Sequence, residues 1–174
     1  IDGYGVVEYY CNGNTIDIDN VTLKSGTHTK YSGFIGGYAS GTNACTITNC
    51  TVEKGVVIGD DGSWNEDLSQ TYSYPWGPDG KYATYDSMIG SIAGAFNGTI
   101  SDCESYATVY GRHFVGGIMG FKGQSMGDCY VTNCYFGGEI KAKGEMVGGI
   151  VGGGYAATSA PNTPCVTIEN CYST

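Results

Sequence analysis

Along this chain, apolar and polar residues alternate in short bursts and never settle into a helical spacing. Asp17-Ile18-Asp19, Thr46-Ile47-Thr48, Thr99-Ile100-Ser101, Tyr130-Val131-Thr132 and Thr167-Ile168-Glu169 each set one apolar residue between two polar ones. That period of two is the mark of a short strand with one face buried. Three residues after each central apolar residue stands Val21, Cys50, Cys103, Cys134 or Cys171, preceded by Asn20, Asn49, Asp102, Asn133 or Asn170. The steps between members of that column are 29, 53, 31 and 37 residues. A period near 30, lengthened in places by insertions, predicts a solenoid in which each repeat stacks on the last.

A second block recurs between these copies: "FIGGYAS" (34 to 40), "MIGSIAG" (88 to 94), "VGGIMG" (115 to 120) and "VGGIVG" (147 to 152). Its glycines are expected to bend a strand or to let neighbouring coils approach closely. A weaker third block reads "TVEKGVVIG", "ESYATVYG" and "YFGGEIKAKG". Each circuit is therefore expected to supply about three short strands, with like residues stacked about 4.8 Å apart. The expected fold is all-β: a right-handed parallel β-helix (β-solenoid) of about five coils, the hand following from the usual crossover rule. We divide the single module 1–174 into a diverged coil 1–30, repeats 31–59, 86–114, 115–146 and 147–174, and a loop insertion at 60–85. The opening "IDGYGVVEYY" and the closing "NCYST" read as cuts within a longer polypeptide.

The "VGGIVG" that follows "NCYFGGEIKAKGEM" closely resembles the GLUG-motif repeat of secreted and surface proteins of bacteria. The resemblance covers about residues 31 to 59 and 86 to 174, with "GSIAG" and Asp102 as departures from the pattern. Such repeats occur in adhesin-like proteins and beside the catalytic region of some immunoglobulin A proteases. The resemblance implies an architecture and a secreted or cell-surface location, and carries no functional residue with it.

Composition narrows the function classes. Charged residues are only 14% of the chain, yet the net charge is -9, a sign that disfavours nucleic acid as a partner. No stretch approaches the roughly 20 apolar residues of a membrane span, and no basic-then-apolar leader opens the sequence. An even count of 8 Cys in a secreted context argues for disulfides. The column that accepts Cys or Val equally argues instead for small buried core residues. Free thiols are the expectation, with Cys45–Cys50 or Cys165–Cys171 as the pairs open across a corner. Spacing other than C-x₂-C and only two histidines make zinc a poor reading. The Asn column is expected to hold left-handed corners and to stack its amides in a ladder, which Asp102 would interrupt.

Catalytic constellations are weak. Asp17 and Asp19 sit in one terminal coil and Glu169 at the other end, too far apart for paired acid–base chemistry. Arg112 is the only arginine, and His28 and His113 lack a Ser or Cys in a nucleophilic context; His113 in "GRHFVGG" reads as a corner residue. The chain is thus not expected to be an enzyme and needs no cofactor or metal. A Thr-x-Thr ice-binding face is broken by Tyr130, Glu169 and two Asp.

The long step between the second and third copies adds roughly 22 residues, and loops of that length are usually functional or disordered. This one, residues 60–85, is rich in aromatics, which argues against disorder. Trp64, Tyr72, Tyr74, Trp76, Tyr82 and Tyr85 are its candidate binding residues, broad amphipathic surfaces suited to sugar rings or a protein hot spot. Packing on the solenoid flank is the bland alternative. The run Asp60, Asp61, Glu66, Asp67 lacks the alternating order of an EF-hand loop, so a solvated turn is expected there rather than Ca²⁺. The resulting expectation is a monomeric, non-catalytic, adhesin-like binding module. Its partner would be a host extracellular protein, such as immunoglobulin or mucin, or a glycan. A structural spacer and a polysaccharide-active β-helix enzyme are the alternatives.

Overall fold

A computed structural model describes residues 2–3, 6–8, 16–29, 32–38, 45–59, 88–122, 127–154 and 166–174. Within them the chain runs as short strands joined by tight corners, without a helix. The period-two segments form one five-stranded sheet, which we term the threonine wall: Asp17–Asp19, Cys45–Thr48, Gly98–Ser101, Cys129–Thr132 and Thr167–Glu169. Immediately after it comes the tyrosine wall: Thr22–Leu23, Thr51–Val52, Glu104–Ser105, Tyr135–Phe136 and Tyr172–Ser173. A third wall follows, made of Asp2–Gly3, His28–Thr29, Val57–Ile58, Thr108–Gly111 and Glu139–Ala142. The glycine wall closes the circuit with Val7–Glu8, Ile35–Tyr38, Ala93–Ala95, Met119–Lys122 and Val151–Gly154. A three-stranded sheet, Ile89–Gly90, Val115–Gly116 and Val147–Gly148, precedes it in the later circuits.

Every pairing is parallel and joins a strand to its counterpart one circuit away, never to its neighbour in sequence. The architecture is all-β with parallel sheets, consistent with a β-helix or solenoid. The aligned columns are also physical ones: Asp17, Thr46, Thr99, Tyr130 and Thr167 lie in register, as do Ile18, Ile47, Ile100, Val131 and Ile168. Ile47, Ile100 and Val131 are fully buried, each contributing roughly 1.5–3 kcal/mol by leaving water. Val52, Ile58, Val109 and Phe136 bring the other walls into the same core.

The expected three strands per circuit become four because the third block is two strands rather than one. They become five in the later circuits because the second block also divides, into Ile89–Gly90 and Ala93–Ala95 and their counterparts. Val56 donates its N–H to the Glu53 carbonyl at 3.2 Å, and Gly55 at φ 90° completes the turn that separates the tyrosine wall from the third wall. One circuit earlier, Thr27 and Gly26 repeat the device. The glycine block serves both expected purposes. A Cβ on Gly116 would collide with the carbonyl of Met119 in its own bend and come within 2.7 Å of Gly152 N in the next circuit.

The corner between the threonine and tyrosine walls is left-handed in all five copies: Asn20, Asn49, Asp102, Asn133 and Asn170 have φ of 52° to 56°. Asn is enriched in this region because its short amide tolerates it. The amide ladder is present in part. Asn170 donates to Asn133 Oδ1 at 3.2 Å, and Asn133 donates to Asp102 Oδ1 at 3.0 Å. Asp102 therefore does not simply interrupt the ladder; as a pure acceptor it terminates it, and Asn49 turns instead to Asp19 Oδ1 at 2.9 Å.

A second left-handed corner falls on bulky residues. Met88, Phe114 and Met146, which lead into the three-stranded sheet, have φ of 63°, 55° and 61°. The first two are held by the next circuit, through Met88 N–H to His113 O and Phe114 N–H to Glu145 O, and Met146 O accepts from Val115 N–H of the circuit before. His113 belongs to this corner, its Nδ1 accepting from the Glu145 N–H at 3.1 Å.

Candidate binding surface

The residue after the cysteine column must point outward, because the cysteine points in. In chain order these residues are Thr22, Thr51, Glu104, Tyr135 and Tyr172, paired in register along the tyrosine wall. The Tyr135 and Tyr172 rings lie 4.6 Å apart at 32° to each other. Tyr106, outward again two residues beyond Glu104, meets Tyr135 edge to face at 5.6 Å and 73°. Each such ring pair contributes about 0.5–1.5 kcal/mol beyond its burial. Gly137 makes the arrangement possible, since the Tyr135 ring lies where a side chain on Gly137 would sit.

Hydroxyls tie the rings down. The Tyr106 hydroxyl donates to Glu104 Oε2 at 3.0 Å, and that bond with the carboxylate raises the Tyr106 pKa above its ordinary value. Tyr135 shares a hydrogen bond with Thr174 Oγ1 at 2.9 Å. Around the corner on the threonine wall, Tyr130 is exposed, and Asp102, Asn133 and Asn170 line the edge between the two walls. Tyr172 remains 62% exposed. The result is an ordered strip of aromatic rings, amides and carboxylates spanning the last three circuits. Tyr106, Tyr130, Tyr135 and Tyr172 are not among the binding residues expected from sequence. For Tyr135 and Tyr172 the column after each cysteine carries the signal, and Tyr130 is legible as an outward residue of the period-two pattern.

The aromatic candidates Trp64, Tyr72, Tyr74, Trp76, Tyr82 and Tyr85 lie outside the described residues, as do Asp60, Asp61, Glu66 and Asp67. The terminal carboxylates are in the threonine wall, where Asp17 accepts from Thr46 Oγ1 at 2.6 Å and Asp19 from Thr48 Oγ1 at 2.8 Å. Hydrogen bonds from Asn49 and Thr48 hold the Asp19 carboxyl below its usual range.

The six described cysteines are free thiols, and Cys45 and Cys50 are not bonded to each other. The column is more than a run of small apolar residues. Cys50, Cys103, Cys134 and Cys171 donate to the carbonyl two residues back, that of Thr48, Ser101, Thr132 and Glu169, at 3.1, 3.1, 3.2 and 3.2 Å. Burial raises the Cys50 and Cys171 thiols, while the neighbouring Cys134 thiol together with burial raises that of Cys103. Among the described residues no group of three or more His, Cys, Asp or Glu is placed to hold a metal. No described helix is long and apolar enough to cross a membrane.

No family model, curated protein or solved structure matches the chain.

Proposed function

We propose that this chain is a non-catalytic binding module, folded as a right-handed parallel β-helix of about five coils and drawn from a secreted or cell-surface bacterial protein of adhesin type. The observation that carries this reading is the cluster of Tyr106, Tyr135 and Tyr172 on the outer face of the tyrosine wall, with Tyr135 and Tyr172 in register and Tyr172 exposed. Exposed aromatic rings fixed by a rigid sheet present large contact area with little entropy left to lose on binding. The aromatic insertion bearing Trp64 and Trp76 extends the same chemistry, and the GLUG-like repeats are in keeping with a host-facing surface protein. The partner is a host extracellular protein, such as immunoglobulin or mucin, or a glycan.

The test is binding of the purified chain to immobilised immunoglobulins, mucins and host glycans, beside Trp64→Ala/Trp76→Ala and Tyr135→Ala/Tyr172→Ala double variants. Saturable binding that a folded double variant loses supports recognition and locates it on the insertion or on the tyrosine wall. No binding across the panel would sink the reading in favour of a structural spacer. That second reading draws on the backbone ladder, which runs from circuit to circuit along every wall as a rigid rod requires.

A further inference from the structure

We infer that the tyrosine wall docks a basic, arginine-bearing segment of a protein partner. This rests on the binding-module reading and deepens it by giving the partner's chemistry. In the last three circuits the threonine and tyrosine walls, with the corner between them, carry Asp102, Glu104 and Glu169, with Asp128 just ahead of the Cys129–Thr132 strand, and not one lysine or arginine. Two carboxylates elsewhere among the described residues are paired internally. On the first two circuits Lys24 meets Glu53 at 2.7 Å, and on the third wall Lys141 meets Glu139 at 3.1 Å. Lys122 is buried in the glycine wall. The aromatic strip thus sets carboxylates that meet no cation among the described residues beside aromatic rings, whereas Asp17 and Asp19 of the first circuit are held by Thr46, Thr48 and Asn49.

The geometry selects among ligands. Glu104 and Tyr135 occupy the same position of adjacent strands, and Tyr172 the next, so carboxylate and ring stand side by side at the strand spacing of about 4.8 Å. Glu104 accepts from Tyr106 through Oε2 and, at 3.5 Å, from Thr51 through Oε1, and a carboxylate has acceptor sites to spare beyond these two. A guanidinium is planar: it stacks on a phenol face and reaches a neighbouring carboxylate through its fork of N–H groups. An ammonium supplies the charge without the plane. A neutral sugar would cover the rings and leave the carboxylates without a counter-charge, and the acidic sugars of mucins would be repelled. Charge complementarity and ring geometry together favour arginine.

The probe is a blocked pentapeptide, Arg-Gly-Arg-Gly-Arg, titrated into the isotope-labelled chain and followed by backbone amide shifts. A lysine counterpart and a neutral β-linked hexasaccharide serve as parallel arms. The expected result is saturable shifts at Glu104, Tyr135 and Tyr172, with the arginine peptide tighter than the lysine one. Glu104→Gln and Tyr172→Leu should each weaken it by about fivefold or more, the latter at an exposed position the fold tolerates. Glu139→Gln, which changes the net charge equally on another wall, should leave the affinity unchanged. Equal affinity for both peptides, or equal loss in Glu139→Gln, would reduce the effect to net-charge attraction and overturn the inference. Shifts at these residues with the hexasaccharide alone would overturn it while leaving the binding-module reading standing. Silence in all three arms overturns it too, and the panel of immobilised host molecules then judges the broader reading separately.

Discussion

Tyr135 and Tyr172 occupy the same position of successive circuits, 37 residues apart in sequence, with ring centroids 4.6 Å apart. Tyr135 also touches Tyr106 on its other side, whereas Tyr172 has a ring neighbour on one side among the described residues. Tyr135→Ala should therefore lower stability more than Tyr172→Ala. A double-mutant cycle between them should return a coupling of about 0.5–1.5 kcal/mol in chemical denaturation. Strict additivity would show that the rings lie together without attracting.

Met146 stands at φ 61° with its side chain 43% exposed, so it bears left-handed strain while burying little. Met146→Asn or Met146→Gly should raise the melting temperature, with about 1 kcal/mol of relief. Phe114 has the same backbone at φ 55° but is buried and packs on Phe121 at 4.6 Å. There the lost core contacts, about 3–5 kcal/mol, outweigh the relief, and Phe114→Gly should destabilise strongly. A fall in stability for both Met146 variants would contradict the strain argument.

Asn133 holds a left-handed corner and also bridges Asp102 and Asn170. Asn133→Ala loses backbone tolerance and both amide bonds, and should cost about 2–3 kcal/mol. Asn133→Gly keeps the backbone and loses only the amides, so it should cost less than half as much. Equal losses in thermal melts would leave the corner conformation without energetic weight.

Thiol reactivity should follow burial. Cys50, Cys103 and Cys134 are sealed in the core, and Cys171 is only partly covered. Peptide-resolved mass spectrometry after brief alkylation of the native protein at mildly alkaline pH should find Cys171 labelled well before Cys103. Rapid labelling of Cys103 would mean that the stack opens readily.

Acid should weaken the first two circuits through Asp19 and Glu53. The Asn49 and Thr48 bonds lower the folded pKa of Asp19, and Lys24 with the Ser25 N–H lowers that of Glu53. A lowered folded pKa means that the unfolded chain takes up protons first. The stabilisation is therefore complete above the ordinary carboxylate pKa of about 4 and is lost as pH falls through the folded values. Asp19→Asn should flatten the acid limb of a stability–pH profile; an unchanged limb would show that its hydrogen bonds do not favour the charged form.

Much of the scaffold was legible in the residues. The columns of Ile18, Val21 and Asn20 recur at spacings that only stacking explains, and the left-handed corner follows because Asn recurs where a β-branched residue would strain. The split of the third block into two walls was harder to see, since Gly55 and Gly26 read equally well as bends within one strand. Nothing in the side chains of Met88, Phe114 or Met146 announces a left-handed corner; that conformation goes with backbone hydrogen bonds to the neighbouring circuit.

By itself, then, the sequence determined the period, the buried face of each threonine-wall strand and the corner residues, because these depend on neighbours along the chain and on a repeat that can be counted. The tertiary structure alone decided which aromatic rings meet. Tyr106 and Tyr135 stand at different positions of their strands, and only the parallel register, with Gly137 leaving the space, brings an edge of one against the face of the other. It also decided where charge goes unanswered, because Glu53 and Glu139 find lysines across a turn or along a strand, while Glu104 finds a tyrosine.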